Sequence, residues 1–543
     1  MISSKRALLV VTAIVFLTGA VKAQNPGVPW PATDALGRRL PLTAQVGPPR
    51  ADRTVAMFYF LWHENIHPGP FDVTEILAAN PDAMHKPTSP HWGPLYAPHH
   101  WGQALFGYYL GDDEFVLRKH AQMLADAGVD VIIFDTSNKA TYPHNYLKLC
   151  EVFRRVRQEG NLTPRIAFLT PFWDPRSTVN DLYSQLYSKG LYRELWFRWD
   201  GKPLILADPA KVDSAPHAFF TFRKPQPDYF QGPTGPDMWS WLEVWPQHVF
   251  KNSRGQKEQM SVGVAQNAVH GRLGSMSEPG AQGRSFHGDN YAEQWEHALK
   301  EDPRAIFITG WNEWIAGRFG EFNGIKTPPM FVDEFDREHS RDIEPMKGGH
   351  GDNYYYQTVS FIRRYKGVPP IPPVQPRPIA IDGNFAHWKD VQPEFRDTAG
   401  DPVHRNHAGW GKAGPYKNDT GHNDIVCAKV SCDAKHVYFY VRTKDPLTPS
   451  TDLNWMILLL DTDADPRTGW LGYDRIVRPG VTRDVPFKVA GNELELALPR
   501  TMVHDTFDFK WIDNVEPKGD GTCFTLDGDA APNDRYNFRA VLP

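Results

Sequence analysis

Short apolar runs alternate with longer segments of helical periodicity between residues 51 and 366, and this alternation constrains the fold more than any other feature. Several runs are apolar throughout, as in parallel strands that are covered on both faces. The strand candidates are residues 55–61, 129–135, 165–170, 203–207, 217–222, 260–266 and 305–309. The helix candidates include residues 114–127, 145–158, 291–299 and 352–365. Seven or eight such units predict a (β/α)8 TIM-type barrel, although one of its strands has no firm position in the sequence.

A proline-rich segment marks the clearest boundary in the chain. Residues 367–378 hold six prolines in twelve positions, which favours a stiff, extended spacer. Short alternating runs such as VYFYVRT (437–443) and NWMILLLD (454–461) follow, separated by turns and without a helical pattern. The sequence therefore predicts that residues 379–543 form an all-β sandwich.

The N-terminus has the pattern of a secretory signal peptide. Lys5 and Arg6 precede an apolar run over residues 7–21, and Val-Lys-Ala ends at Ala23. That run is short for a membrane span, and no later apolar stretch of about 18 residues follows it. We therefore expect a signal peptide at residues 1–23, a lead segment at 24–50 and the barrel at 51–366. The mature protein is expected to be secreted or periplasmic, without membrane insertion.

Charge and cysteine content exclude some partners. Without residues 1–23, 56 basic and 64 acidic residues remain, and the resulting net charge of −8 argues against a nucleic-acid partner. Four cysteines are too few for the disulfide framework of a chain this long. Cys427 and Cys432 either pair or remain two buried thiols. We expect a monomer that needs no cofactor for catalysis.

Polar and aromatic side chains recur where the predicted barrel strands end. Active sites of such barrels lie at the C-terminal ends of the strands, so these side chains are candidates for substrate contact. Flat aromatic faces suit sugar rings, and 12 of the 18 tryptophans lie between Trp62 and Trp314. For Asp174, which precedes a proline, capping of a helix is an equally good interpretation. The candidates are Trp62, His63, Asp135, Trp173, Asp174, Asn267, Trp311, Asn312 and Trp314.

Glu313 is the strongest catalytic candidate. It follows the apolar run AIFIT (305–309) and lies between Trp311 and Trp314. A carboxylate walled by indoles has the surroundings that raise its pKa and orient a general acid or base. The alternative is that both tryptophans are core residues and that Glu313 forms a salt bridge.

The WNEW motif (311–314) resembles that of glycoside hydrolase family 99, the endo-α-mannosidases, and of the related WbsX-like proteins, with family 71 more distant. The similarity spans about residues 55 to 366. It includes MFYFLWH (57–63), MLADAGVDVIIFD (123–135), WDGKPLI (199–205) and IEP (343–345). The resemblance implies a barrel that cleaves internal α-glycosidic bonds. It also adds Tyr59 and Glu344 to the substrate-binding candidates.

In that family the motif continues Trp-Asn-Glu-Trp-x-Glu-Gly. The first Glu assists deprotonation of the sugar 2-hydroxyl, and the second is the general acid. Glu313 matches the first, whereas Ala316 occupies the second position and cannot transfer a proton. An acid-rich insertion, residues 318–340, follows. Either a carboxylate of the insertion replaces the missing acid, or the family mechanism does not operate here.

Glycoside hydrolysis usually requires a pair of carboxylates. Besides Glu313, the catalytic candidates are Glu321 and Glu338 in the insertion and Glu243 in MWSWLEVWPQ (238–247). For the two insertion residues, the alternative is a solvated loop charge. For Glu243, it is a strand-end carboxylate held by a backbone amide. We expect at least one of the three to lie within about 10 Å of Glu313, facing the same cleft.

The C-terminal region has its own resemblance. IAIDGNFAHWKDV (379–391), VYFYVRTKD (437–445) and DTDADPRTGWLGYD (461–474) are similar to carbohydrate-binding module family 9. Asp461, Asp463 and Asp465 alternate in one turn, and clustered oxygen ligands suit Ca²⁺. An acidic surface turn without an ion is the alternative.

These observations predict an exported glycoside hydrolase-like protein that acts on a poly- or oligosaccharide, by internal cleavage of an α-linkage. The main alternative is a catalytically inactive glycan-binding protein, which Ala316 favours. A polysaccharide lyase or carbohydrate esterase ranks third, because the chain has no GxSxG nucleophile elbow.

Overall fold

The computed structural model of the protein describes residues 25–64, 68–265, 285–321, 330–331 and 342–543. Two candidate site residues, Asn267 and Glu338, lie outside these residues, as does the predicted signal peptide. None of the described helices combines the length and the apolar character that a membrane crossing requires.

The first part of the chain contains thirteen described strands and eight described α-helices. The strands are β1 Thr54–Tyr59, β2 Pro98–His100, β3 Val131–Asp135, β4 Arg165–Leu169, β5 Arg198–Trp199, β6 Lys202–Leu206, β7 Thr221–Gln226, β8 Met238–Ser240, β9 Phe250–Lys251, β10 Lys257–Gly263, β11 Ala305–Thr309, β12 Ile315–Phe319 and β13 Met330–Phe331. The helices are α1 Thr43–Val46, α2 Val73–Ala79, α3 Glu114–Asp126, α4 Pro143–Gln158, α5 Arg176–Leu182, α6 Ser214–Phe219, α7 Asp289–Glu301 and α8 Asn353–Lys366.

Eight of these strands form a parallel sheet in the order β8, β7, β6, β4, β3, β1, β11, β10. The two end strands, β8 and β10, lie side by side. One side chain joins them: Ser240 N donates to Gln259 Oε1 at 3.0 Å, and Gln259 Nε2 donates to Ser240 O at 2.9 Å. This amide takes the place of a backbone ladder and closes the sheet. The predicted (β/α)8 barrel is therefore confirmed.

Strand alternation separates the two faces of the barrel wall. Along β1, Ala56, Phe58 and the following Phe60 pack inside the barrel, whereas Met57 and Tyr59 pack outward against the helical layer. The interior is filled by large apolar side chains such as Leu204, Trp239 and Phe307. The cylinder is thus a packed core, and chemistry is confined to its ends.

Two details of the predicted barrel need correction. The missing strand is β8, whose three residues are too few to show a period. The predicted strand at 217–222 was wrong: Ser214–Phe219 is helix α6, and β7 begins at Thr221. Strand β7 reads TFRKPQ, so it lacks the apolar run that marks the other strands.

The C-terminal residues form two five-stranded antiparallel sheets. They comprise β14 Glu394–Arg396, β15 Arg405–Ala408, β16 Pro415–Asn418, β17 Ile425–Cys432, β18 His436–Thr443, β19 Ile457–Asp461, β20 Arg475–Val477, β21 Phe487–Ala490, β22 Glu493–Pro499, β23 Thr506–Asp513, β24 Asp529–Ala531 and β25 Phe538–Val541, with one short helix, α9 Cys523–Leu526. One sheet has the order β14, β17, β18, β22, β21, and the other contains β20, β19, β23, β24 and β25. The strands β15 and β16 pair separately. Phe439 of β18 packs against Phe507 and Phe509 of β23, at 5.9 and 5.7 Å between ring centroids, so the two sheets form the predicted sandwich.

Barrel and sandwich are docked directly. Helix α3 is buried almost along its whole length, and its cap residue Asp113 accepts a bond from Arg405 of the sandwich at 2.8 Å. Trp30 of the lead segment packs against Phe395 and Phe538. The proline-rich segment is extended but lies along the sandwich, where Val374 N donates to Val541 O at 2.8 Å. The segment is therefore packed against the sandwich and does not hold the two units apart.

All four cysteines are free thiols. Cys427 and Cys432 lie on one strand, β17, where five residues span about 17 Å, so they cannot form a disulfide with each other.

Candidate active site at the barrel mouth

The backbone of Glu313 is fixed from two sides. Its N–H donates to the Asp342 carboxylate, and its carbonyl accepts a bond from Trp101 Nε1 at 3.2 Å. The same indole N–H lies 2.7 Å from Asp342 Oδ2. Glu313 is 2% exposed. The structure thus places a buried carboxylate residue, with a clamped backbone, just beyond the C-terminal end of β11.

Asn312 joins the ends of β11 and β1. Its Oδ1 accepts a bond from Phe60 N at 2.9 Å, and its own carbonyl pairs with His63 Nε2 at 3.0 Å. Burial lowers the pKa of His63 to about 4, so the imidazole is neutral at pH 7. Both predicted residues hold the strand ends together at the site.

A buried network lies behind this segment. Glu344 accepts hydrogen bonds from Tyr109 OH at 2.8 Å and from Trp314 Nε1, and its other oxygen pairs with His120 Nε2 at 2.7 Å. His120 Nδ1 in turn pairs with Tyr59 OH at 2.9 Å. Three segments of the chain therefore meet on one fully buried carboxylate, and β1 joins them through His120.

Four of the predicted substrate-binding residues, Tyr59, Trp311, Trp314 and Glu344, lie in or beside this network. Tyr59 and Trp311 point to the outer face of the strands, where both rings contact His120 of α3. Glu344 is completely buried. Trp314 stacks on Trp101 at 4.6 Å and shares the same layer. Tyr59 and Trp311 therefore pack behind the mouth of the barrel, against α3, and Trp314 and Glu344 share this buried layer.

An aromatic wall does line the mouth. The interior ring stack continues from Phe60 to Trp62 at 5.3 Å, and Phe172 packs against Trp241 at 6.4 Å. Next to Phe172 stands Trp173, which is 72% exposed. The predicted Trp62 and Trp173 thus have the accessible or partly accessible faces that a sugar ring needs.

The two predicted aspartates differ in their surroundings. Asp135 ends β3, is buried, and accepts a bond from Ser137 N at 2.9 Å. Asp174 is exposed and accepts a long bond, 3.4 Å, from Arg176 N at the start of α5. Asp135 therefore lies at a strand end of the site, whereas Asp174 lies just before α5, next to its N-cap residue Pro175.

Glu243 follows β8 and closes a loop. Its oxygens pair with His248 N and His248 Nδ1, both at 3.0 Å. Burial raises the pKa of Glu243 to about 8, against the hydrogen bonds, which lower it. The carboxyl is therefore protonated at pH 7, while the side chain of His248 remains 46% exposed.

Glu243 lies on the same side of the barrel as Glu313. Thr309, the last residue of β11, donates its hydroxyl to Trp241 O, which precedes Glu243 by two residues. Only β10 separates β8 from β11 in the sheet, so the strand ends are about 10 Å apart. Glu321 is exposed at the end of the described segment that follows β12.

Ala316, where the resembling family has its acid, is packed in an apolar cluster. It pairs with His99 across β12 and β2, and it contacts the group formed by Val73, Ala83 and Trp92. A carboxylate at this position would be buried among apolar side chains. The position at which the resembling family has its acid is thus part of a small apolar cluster in this chain.

We expect Ala316→Glu to leave turnover unimproved and to lower the free energy of unfolding by about 2–4 kcal/mol, because a charge is buried without a partner. Chemical denaturation and turnover assays measure both effects. Ala316→Gln adds the same volume without the charge and serves as the control. A stable Ala316→Glu protein with raised turnover would contradict this assignment.

The acidic turn of the sandwich differs from its prediction in one residue. Asp461, Asp463 and Asp474 each offer an oxygen within 4.8 Å of the others. Asp465 instead pairs with Arg39 at 2.8 Å and with Arg467. The sequence predicted Asp465 as the third carboxylate of this group. In the structure, Asp474, thirteen residues after Asp461, is the one that lies close to Asp461 and Asp463.

Several contacts of the site have no local sequence signal. Trp101 and Asp342 clamp Glu313 from segments that are distant in the chain, and His120 anchors Glu344 from the middle of α3. His248 was not among the predicted site residues, although it lies five residues from Glu243. A carboxylate followed by a histidine within one loop is the only sequence hint among these.

No family model and no curated protein matches the chain. Among solved structures, it is similar to the GH99 endo-α-mannosidase from Bacteroides thetaiotaomicron. The complex of that protein with bis-tris-propane is 13% identical, with a TM-score of 0.34, and covers 58% of this chain and 97% of its own. A second structure of it is 16% identical, with a TM-score of 0.35 and the same coverage. Because both TM-scores are low, the proposed function rests on this chain's own residues.

Proposed function

We propose that the protein is a glycoside hydrolase that cleaves an internal α-glycosidic bond of a poly- or oligosaccharide. The observation that carries the proposal is the position of Glu313, a buried carboxylate with a clamped backbone at the C-terminal end of a barrel strand. Trp62, three residues beyond the end of the neighbouring β1, is part of an aromatic wall suited to sugar rings. The WNEW motif supports the α-linkage.

The test is incubation of the purified protein with a panel of polysaccharides, followed by product analysis. Internal cleavage gives oligosaccharides of several lengths from the start of the reaction. Glu313→Gln protein is the control for contaminating activity. Products of equal yield from wild type and Glu313→Gln would remove Glu313 from the mechanism.

The proton for the departing oxygen needs a second group, and we propose Glu243. Its raised pKa keeps it protonated at neutral pH, as a general acid requires. His248 connects the buried carboxyl to the surface. Glu313 would then act on the sugar 2-hydroxyl, as the resemblance implies, and the pair would share one mouth.

We expect Glu243→Gln to reduce turnover by about 10²-fold or more, because the amide cannot donate a proton. Wild-type turnover should fall as pH rises through about 8, where Glu243 loses its proton, and this limb should be absent from the residual activity of Glu243→Gln. A pH–rate profile of each protein measures both. Glu321→Gln is the matched control; if it removes the limb and Glu243→Gln does not, Glu321 is the acid.

A catalytically inactive glycan-binding protein is the second candidate, and the packing of Ala316 in an apolar cluster favours it. In that case the aromatic wall binds a saccharide that is never cleaved. Calorimetric binding without product formation over the whole panel would establish this alternative. The leader sequence favours export in either case.

We also propose that the acidic turn of the sandwich binds Ca²⁺ through Asp461, Asp463 and Asp474, all oxygen ligands. A ligand that binds only the folded state stabilises it by mass action. Calcium should therefore raise the melting temperature of the chelator-treated protein by several degrees, and Asp463→Asn with Asp474→Asn should reduce this rise. An unchanged rise in the double variant would exclude the turn. The sandwich's own likeness to a carbohydrate-binding module stays a prediction.

A further inference from the structure

A second group of carboxylates lies where the sandwich meets the barrel. Asp397 and Asp401 follow β14, and Asp529 begins β24. Each of the three offers an oxygen within 4.8 Å of the others. Lys119 of α3 approaches them, with its Nζ 3.7 Å from Asp401 Oδ2. We name Asp397, Asp401 and Asp529 the interface triad.

The triad contains oxygens that have no hydrogen-bond partner among the described residues. Asp529 Oδ2 accepts a bond from Ile425 N at 2.6 Å, but its Oδ1 is buried and unpartnered. Asp401 Oδ1 and Asp397 Oδ2 are also buried and unpartnered. Asp401 and Asp529 are only 4% and 3% exposed. Unpaired carboxylate oxygens are costly to bury, so the cluster calls for a cation.

A neighbouring carboxylate repeats this pattern. Asp424 Oδ2 accepts a bond from Gly400 N at 2.8 Å, whereas its Oδ1 is buried without a partner. By contrast, both oxygens of Asp534 are satisfied, by Thr525 at 2.7 Å and Gln122 at 2.9 Å. Unpartnered oxygens thus occur where the triad and Asp424 meet, and not at every acid of the interface.

The lysines around the triad do not balance its charge. Lys119 lies beyond hydrogen-bond distance of Asp401, and Lys510 Nζ donates to Pro532 O instead. Lys444 is 3.5 Å from Asp424 and half exposed. These three face six acids, namely Asp126, Asp397, Asp401, Asp424, Asp529 and Asp534. An excess of negative charge remains inside the interface.

The pKa shifts of the triad also indicate that neighbouring cations do not neutralise its negative charge. Burial, together with repulsion from Asp424 and Asp534, raises the pKa of Asp401 to about 7, although Lys119 lowers it. Burial and the other triad members raise the pKa values of Asp397 and Asp529 well above their usual range. Protons or a metal ion are the two ways to neutralise such a group.

We propose that the interface triad, with Asp424 beside it, binds a Ca²⁺ ion in the sandwich, at the face that packs against helix α3. The donors are all oxygens, which a hard cation prefers, and Ca–O distances of about 2.3–2.6 Å accommodate oxygens up to about 5 Å apart. Asp397 also lines a pocket of about 270 Å³, together with Asp126 and Asn533.

The test uses the full chain, treated with chelator and then dialysed against Ca²⁺. In Asp463→Asn with Asp474→Asn, which removes ligands of the acidic turn, we expect about one bound Ca²⁺ per chain by mass spectrometry of the metal. We also expect calcium to raise the melting temperature of this control by about 3 °C or more. Asp401→Asn with Asp529→Asn, added to the control, should abolish both the binding and the shift.

The direction in which the melting temperature changes in chelator distinguishes a triad neutralised by a bound ion from one neutralised by protons. If Ca²⁺ fills the triad, the Asp401→Asn with Asp529→Asn protein should melt above its parent in chelator, because repulsion is relieved, and below it in calcium. A control protein that retains no Ca²⁺ overturns the proposal, whatever the fate of the triad variant. An equal shift by Mg²⁺ at the same concentration overturns the assignment to calcium.

Discussion

Glu313→Gln should lower turnover by at least about 10²-fold while the protein remains folded. The amide keeps the shape of the side chain but cannot ionise. Two contacts that fix residue 313 use its backbone, through Asp342 and Trp101, and these two survive the substitution. Turnover on the substrate found by the panel and the melting temperature measure the two halves of the expectation.

Glu296→Gln is the matched control for this experiment. Glu296 lies on α7, is more than half exposed, and pairs with Arg364. Its neutralisation should leave turnover within about twofold of wild type, since surface pairs contribute little. Near-wild-type turnover of Glu313→Gln would refute the assignment of Glu313, and a matching loss in both variants would show that the assay reports general damage.

Glu344→Ala should lower the free energy of unfolding by about 3–5 kcal/mol. The substitution removes the acceptor shared by Tyr109 and Trp314 and the partner of His120, and it leaves these groups buried. Denaturant unfolding, with the midpoint and slope compared to wild type, measures the loss. A change below about 1 kcal/mol would show that the network contributes little.

Glu344→Gln separates shape from charge in the same network. The amide oxygen can still accept one of the bonds, so this variant should lose clearly less stability than Glu344→Ala. Glu296→Ala provides the exposed control, with an expected loss of less than about 1 kcal/mol. Equal losses for Gln and Ala at residue 344 would mean that the charge, not the hydrogen bonds, carries the effect.

The barrel was predictable because its strands are apolar on both faces. Strands such as β3 and β11 appear as unbroken apolar runs, and helices such as α3 and α4 keep their period. Strand β8 was missed because it has only three residues, and the start of β7 was placed four residues too early because its sequence is polar. Strands that are very short or polar therefore lack an apolar pattern by which the sequence could reveal them.

The site was predictable only where it is local in sequence. Glu313 and Trp62 lie within four residues of the ends of β11 and β1, so their positions at the mouth come from the barrel rule. The rule does not say which face a side chain takes, and the rings of Tyr59 and Trp311 both pack outward against His120 of α3. Contacts such as Trp101 with Asp342 join segments more than two hundred residues apart, which no single-sequence pattern encodes.

The closure of the barrel through Gln259 has a genetic consequence. Backbone ladders cannot be deleted by a point mutation, because every residue except proline carries the same amide and carbonyl. At β8 and β10 that protection is missing, since both bonds to Ser240 belong to one side chain. A single codon change at Gln259 therefore removes both of these bonds between β8 and β10, whereas the backbone bond from Asp237 N to Lys251 O beside them remains.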